Sequence, residues 1–325
     1  MCLRCPVDGA QGETQLNSGG KYANGTSTDG GGVMLETAAL LNANGRWPED
    51  VSIWRLDMPL PYDSHLGQKR VTACYAVLDG VERGGADRYR VVGERVRYVT
   101  TRATLRHLLS AQTGVPASAL AFTSVRNGRP ALAEYPRLSF NVSHAGDHAL
   151  IAISHDRVVG VDIEHIHPQT DWQSLVEMVC SKRQREQLCV APGKLAEEAA
   201  TVHQRRRFFQ CWTAKEAILK ALGIGLTDHL RRIDFTLDTV DVQRPQLSPI
   251  ITPAATLAIT SAVAPDTTRP VEHPIAQGIG ISSEDPVLRE MGNLSFHWLT
   301  DIDAYMGCIA YSDAVVHVTA GTGVG

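Results

Sequence analysis

Two carboxylates are set into an otherwise apolar strand pattern, VVGVDIE, at Val158 to Glu164. Residues i and i+2 of a strand point to the same face, so Asp162 and Glu164 project together while Ile163 turns into a core. Two close carboxylates repel each other. A hard cation such as Mg²⁺ offsets that repulsion, taking one or two carboxylates together with waters and phosphate oxygens. The alternative reading of the same spacing is a pair of solvated acids at a strand end. Gly160, lacking a side chain, reads as a place where a ligand approaches the backbone.

A second chemically suggestive pair follows on a helix. The spacing predicts one long helix over Glu197 to Leu222, with Phe208, Cys211, Ile218, Leu219 and Leu222 near one face and Gly223 as its C-terminal cap. Glu216 and Lys220 share a face of it, as residues four apart do. An ordinary surface ion pair is one reading. With Trp212 one turn earlier and FFQCW packing the helix, a third carboxylate plus a cation at the rim of a buried face is the other. Lys220 would then act as a point charge on phosphate oxygens.

The rest of the chain reads as a mixed α/β (α+β) order with strands either side of each long helix. VSIWRLD from Val51 alternates like a strand, and Val91 to Gln112 keeps a helical stripe stopped by Gly114-Val115-Pro116. RLSFNVS, Ala149 to Ser154, LSFHWLT and YMGCIAYS are further strands. Residues 1–46, rich in Gly, Asn, Ser and Thr, read as a flexible leader in which a short run near Val33 to Leu41 could become helical. Seven of the 16 prolines crowd a stretch from about residue 241 to 293, which reads as a long loop or insertion, with TLAIT as one strand within it.

Charge and composition narrow the function classes. Against 31 Lys and Arg stand 35 Asp and Glu, a net charge of -4 in 325 residues, which gives no global reason to bind nucleic acid. No run of about 18 apolar residues suggests a membrane span, and no charged-then-apolar start suggests a signal peptide. The seven cysteines include a Cys2–Cys5 pair without a second ligand pair, so free thiols in a reducing compartment are expected. His144, His148, His165 and His167 match no specific transition-metal spacing. Arg83, Arg88, Arg90, Arg95, Arg97, Arg102 and Arg106 read mostly as a solvated helix face. A second basic group, Lys182, Arg183, Arg185 and Arg205 to Arg207, suits an acidic protein partner.

Three blocks, in this order, resemble the Sfp-type 4'-phosphopantetheinyl transferases: GRPALAEYPRLSFNVSHAG, VGVDIE and FFQCWTAKEAILKALGIGL. The resemblance spans about Val51 to Ser312. It implies two similar α/β halves related by a pseudo-twofold, residues 47–157 and 158–317, the second interrupted by the proline-rich insertion (about 243–292) and followed by a tail, 318–325. It implies transfer of the phosphopantetheine arm of coenzyme A to a serine of an apo acyl or peptidyl carrier protein, releasing adenosine 3',5'-bisphosphate. Asp162, Glu164 and Glu216 are by resemblance the Mg²⁺ ligands. Glu216, Lys220 and Asp162 are the expected catalytic set, with Glu216 or a metal-polarised water taking the serine proton. Ser143, His144, Arg129 (at the family's lysine position), Arg97 and Lys220 are expected to hold coenzyme A. A cytoplasmic monomer with no nucleic-acid or membrane partner is expected. The competing readings are an inactive coenzyme A- or carrier-binding homologue and a carboxylate-dependent glycoside hydrolase.

Overall fold

The computed structural model describes residues 38–58, 65–124, 128–189, 197–224, 230–235, 237, 277–278 and 294–312. The Cys2–Cys5 pair, most of the leader, TLAIT, nearly all of the proline-rich stretch and the tail lie outside them. The chain divides into two compact units. Among the described residues, one takes those within 38–39, 57–120 and 167–170, and the other those within 40–56, 121–166 and 171–312.

The first unit is helical: α1 (His65–Val77), α2 (Gly80–Ala86) and α3 (Val92–Thr113). Cys74 and Leu78 of the first helix region pack with Ala86, Val99 and Ala103 into a small core. Asp79 and Glu82 cap α2 reciprocally, each side chain accepting the other's backbone N–H. Helix α3 stops at Gly114, whose φ of +75° is the left-handed geometry that glycine adopts without strain. Arg106 overturns the solvated-face reading at its own position. It is fully buried, bridging Glu82 (2.6 Å) and Asp79 (2.7 Å) and donating to the carbonyls of Ala117 and Leu120.

The second unit holds nearly all of two four-stranded sheets, Ala38, Ala39 and Asp57 excepted. One has the order β1-β2-β6-β5, from β1 (Ala38–Leu40), β2 (Val51–Asp57), β5 (Ser139–Ala145) and β6 (His148–Ser154), with β3 (Phe122–Ser124) and β4 (Pro130–Leu132) forming a separate hairpin. Of the run near Val33 to Leu41 that could become helical, residues 38–40 form a strand, and 33–37 lie outside the described residues. The other has the order β7-β10-β9-β8, from β7 (Val159–His165), β8 (Gln277–Gly278), β9 (Leu294–Leu299) and β10 (Tyr305–Ser312). Between them in sequence come the short helices α4 (Val176–Val179) and α5 (Lys182–Cys189) and the long α6 (Glu197–Leu222).

Strand periodicity explains how these pieces join. Val159, Val161 and Ile163 of β7 enter one core with Trp47, Ile53, Leu150, Ala152, Leu299 and Ile309, drawn from both sheets. Gly160, Asp162 and Glu164 therefore face the other way, toward α6. That helix does not bury a single face: from Arg207 to Leu219 every residue is buried, because the β7–β10–β9 sheet covers one side and α4, α5 and Leu230 the other.

Edge strand β5 meets edge strand β7 without a backbone ladder. Ser139 Oγ, Asn141 Oδ1 and Ser143 Oγ accept the N–H groups of Val159, Val161 and Ile163 at 3.0, 3.0 and 3.4 Å. The S-x-N-x-S alternation of SFNVS places all three acceptors on one face of the strand, and this satisfies donors that an unpaired edge leaves open.

Candidate active site

The site is built on the helix-facing residues of β7 and one stripe of α6. Trp212, Glu216 and Lys220, at i, i+4 and i+8, lie along one face. Gly160 lets that face come close. A Cβ there would overlap the Ala217 carbonyl and the backbone of Ala221. The space expected to admit a ligand at Gly160 is therefore filled by the helix itself, because the strand and helix backbones are in contact there.

Asp162, Glu164 and Glu216 are all buried, at 3%, 6% and 8% exposure, so none is a solvated strand-end acid. Lys220 Nζ donates to Asp162 Oδ1 at 2.7 Å, to Ser143 Oγ at 3.0 Å and to the Val161 carbonyl at 3.3 Å. Ser143 Oγ in turn donates to Asp162 Oδ1 at 2.8 Å. Trp212 Nε1 donates to Glu164 Oε1 at 3.1 Å. Lys220 is thus paired across to β7 and not with Glu216 along its own helix.

Burial dominates the electrostatics. It pushes the Glu164 carboxyl up to about 8, aided by Asp162 and Glu216 and opposed by the Trp212 hydrogen bond and Lys220. Burial also pushes Glu216 up to about 7, again aided by Asp162 and opposed by Lys220. Three acids with one cation among them are short of positive charge. Two carboxylate oxygens, Asp162 Oδ2 and Glu216 Oε1, are buried with no hydrogen-bond partner. As placed, no three His, Cys, Asp or Glu side chains among the described residues converge closely enough to enclose an ion. The donor set nonetheless fits a hard cation: all oxygen, anionic, and with two buried oxygens that lack hydrogen-bond partners.

The other expected residues are distributed differently. Ser143 joins the site, while His144, next on β5, points to the opposite face of the strand with Phe140 and Val142. Arg129 donates to Ser139 Oγ (2.6 Å) and to the carbonyls of Val159 (3.0 Å) and Ala221 (3.0 Å), tying β5, β7 and the end of α6 together. Arg97 belongs to the helical unit and is paired with Glu94 at 2.5 Å. His148 and His165 pack against the ring of Tyr305, each with centroids 4.6 Å away, which accounts for them without a metal. In the basic group, Arg207 is buried and donates to the carbonyls of Gln187 and Leu237, so it is unavailable to a partner.

Sequence reasoning missed Trp212 as a ligand of Glu164 and Lys215 as a wholly buried cation, whose Nζ donates to the carbonyls of Val179 and Leu230 at 2.7 Å each. The i, i+4 spacing of Trp212 and Glu216 was the available signal for the first. Lys215 carried none, since its acceptors are backbone carbonyls remote in sequence.

Known proteins are similar to this chain in sequence. Residues 158–270 match the 4'-phosphopantetheinyl transferase superfamily, and residues 67–156 match the 4'-phosphopantetheinyl transferase N-terminal family, so matched segments make up more than half of the chain. The chain belongs to the 4'-phosphopantetheinyl transferase superfamily. It is accordingly a transferase with the mixed α/β fold of that family. The 4'-phosphopantetheinyl transferase HetI of Nostoc sp. is 28% identical over 204 residues, 62% of this chain and 80% of HetI. Putative 4'-phosphopantetheinyl transferase slr0495 of Synechocystis sp. is 32% identical over 160 residues, 49% of this chain and 62% of that protein. The transferase psf-1 of Bacillus pumilus is 27% identical over 167 residues, 51% of this chain and 67% of psf-1. Among the described residues no helix is long and apolar enough to cross a membrane.

Proposed function

We propose that this transferase moves the 4'-phosphopantetheine arm of coenzyme A to a serine hydroxyl of an apo acyl or peptidyl carrier protein. The serine oxygen bonds to the phosphorus on the pantetheine side, the bond from that phosphorus to the bridging pyrophosphate oxygen breaks, and adenosine 3',5'-bisphosphate leaves. One observation carries the reading. Three buried carboxylates sit with Lys220 where β7 meets α6, and Asp162 Oδ2 and Glu216 Oε1 are buried without partners.

Asp162, Glu164 and Glu216 are assigned to Mg²⁺, which when bound neutralises charge developing on the pyrophosphate. The chain's own groups do the rest. Glu216, whose Oε1 is unpaired, accepts the serine proton. Lys220 exchanges part of its bonding to Asp162 for a phosphate oxygen and holds it by charge. Ser143 keeps Lys220 and Asp162 aligned through its hydroxyl. Trp212 fixes the orientation of Glu164. Arg129 acts as a positioning residue, because its guanidinium already spans β5, β7 and α6. His144 and Arg97 are assigned to the phosphates of coenzyme A on the resemblance. The protein is taken to work as a cytoplasmic monomer, its halves 47–157 and 158–317 both required, with no nucleic-acid or membrane partner.

The test mixes the purified protein with coenzyme A, Mg²⁺ and apo carrier proteins of the fatty-acid, polyketide, peptide and lysine-pathway types, and weighs each carrier. Gain of one phosphopantetheine on the carrier serine is expected for at least one type. No gain on any of them refutes the reading.

A further inference from the structure

Among the buried side chains that the transfer reaction leaves unused, Cys180 and Cys211 stand apart. Both are free, fully buried thiols, and their sulfurs are 3.7 Å apart with Cys180 donating to Cys211. The Cys211 thiol donates onward to Gln184 Oε1 at 3.4 Å. Cys211 lies in the middle of α6, whereas Cys180 is the C-cap of α4 with extended backbone, at the start of the link to α5. One sulfur is therefore inside a continuous helix and the other at a helix end. A disulfide needs its sulfurs at about 2.05 Å, so closure requires them to approach by roughly 1.7 Å.

The surroundings favour reaction at this pair. Burial raises the Cys211 thiol, but the hydrogen bond from Cys180 and the nearby Lys215 ammonium outweigh it and bring Cys211 below the usual thiol range. Cys180 is held well above that range, first by its hydrogen bond to Cys211 and then by burial. Negative charge is thus favoured on Cys211 over Cys180, which makes Cys211 the nucleophile of the pair and Cys180 the sulfur that resolves it. Cys180, but not Cys211, is among the residues lining a cavity of about 580 Å³, with Ser181, Lys182, Arg185, Arg231 and Arg232, and both thiols are fully buried, so an oxidant meets the pair only from the Cys180 side as that segment opens.

We propose that Cys180 and Cys211 form an oxidation site for hydroperoxides, closing to a disulfide that ties the segment before α5 to the middle of α6. The Cys211 sulfur attacks the terminal peroxide oxygen and the O–O bond breaks. The departing oxygen takes up a proton and leaves as water or alcohol, and Cys211 is left as a sulfenic acid. The Cys180 sulfur then displaces that hydroxyl, which leaves as water with the Cys180 proton. Two thiols are oxidised and one peroxide is reduced.

The test treats the full-length protein with hydrogen peroxide, blocks remaining thiols with an alkylating reagent under denaturing conditions, and maps the peptides. The first product expected is a cross-linked Cys180–Cys211 peptide lighter by two hydrogens, with two alkylatable thiols lost and both restored by a dithiol reductant. Cys180→Ala and Cys211→Ala each abolish that cross-link, and Cys308→Ala leaves it in place. Survival of Cys180 and Cys211 as free thiols while Cys74, Cys189 or Cys308 is consumed overturns the proposal. So does a first disulfide joining any other pair. The peptide map of the unaltered protein decides the matter even if a variant fails to fold.

Discussion

Gly160→Ala is a single-methyl test of how the site is assembled. The new Cβ would lie 2.9 Å from the Cα of Ala221 and still closer to the Ala217 carbonyl and the Ala221 nitrogen. Carbon atoms rest at about 3.5–4.0 Å, so α6 and β7 must part by roughly 1 Å. The obstructing atoms are backbone in a helix buried on all sides, so no side chain can swing away. Overpacking of this kind costs about 1–3 kcal/mol and sometimes more, and the upper end is expected here. For a unit of this size about 3 kcal/mol corresponds to a fall in Tm of roughly 6–12 °C. The same displacement lengthens the 2.7 Å Lys220–Asp162 pair, and misplacement by about 1 Å can lower the rate of a positioned reaction about 10²-fold. Thermal unfolding followed by circular dichroism, with carrier modification measured well below the transition, reads both effects. Gly84→Ala in α2 is the control. Nothing lies within 4 Å of its Cβ, and a gain of about 0.5–1 kcal/mol is expected. A Gly160→Ala protein as stable and as fast as the unaltered one refutes the close approach of strand and helix.

Asp162→Asn removes a buried charge while keeping its shape; transfer to carrier should fall to background with the circular-dichroism spectrum unchanged, and retained activity would overturn the Asp162 assignment. Arg106→Ala takes the buried cation from Asp79 and leaves Glu82 with Arg102 alone, and a loss of about 3 kcal/mol in urea unfolding is expected. His297 is held down to about 4 by burial and by Arg46, with Asp301 opposing. The folded protein therefore binds fewer protons than the unfolded chain between about pH 4 and 6.5. This contribution is complete above about 6.5 and is lost as pH falls, by at most about 3 kcal/mol, and His297→Gln should remove it from the stability profile. Charge reversal at Arg206 should weaken use of the carrier more than binding of coenzyme A, and equal loss of both in paired measurements would exclude a carrier-specific role.

Periodicity made much of this fold readable before any coordinates. The 3.6-residue stripe ending at Gly114 and the two-residue alternation of VSIWRLD and VVGVDIE correspond to α3, β2 and β7 within a residue or two. The facing of Asp162 and Glu164 followed from the same alternation. What periodicity could not supply was the identity of the surface each face meets. Gly160 was assigned open space because nothing local says that a helix remote in sequence lies over it. Arg106 reads as solvated and Arg207 as open to an acidic partner because arginine is usually exposed, and their acceptors are carbonyls and carboxylates brought close only by tertiary folding. Helix α1 went unseen for a different reason. Its sequence, HLGQKRVTACYAV, carries a glycine and no clear stripe, so packing against α3 decides its form more than local pattern does.

Ser143 shows why motif letters and site chemistry coincide in this chain. Its hydroxyl accepts the Ile163 N–H, as the third member of the series that joins β5 to β7. The same oxygen accepts from Lys220 and donates to Asp162. An alanine at position 143 would therefore remove one strand link and loosen the ammonium–carboxylate pair in a single step, whereas alanine at position 139 would remove a link remote from the acids. The two variants separate the roles. If Ser143→Ala and Ser139→Ala lower stability to a similar degree but only Ser143→Ala slows transfer, Ser143's own bonds, and not the seam as a whole, set the distance between Lys220 and Asp162. If both slow it alike, the seam acts as one unit and Ser143 has no role of its own in the site.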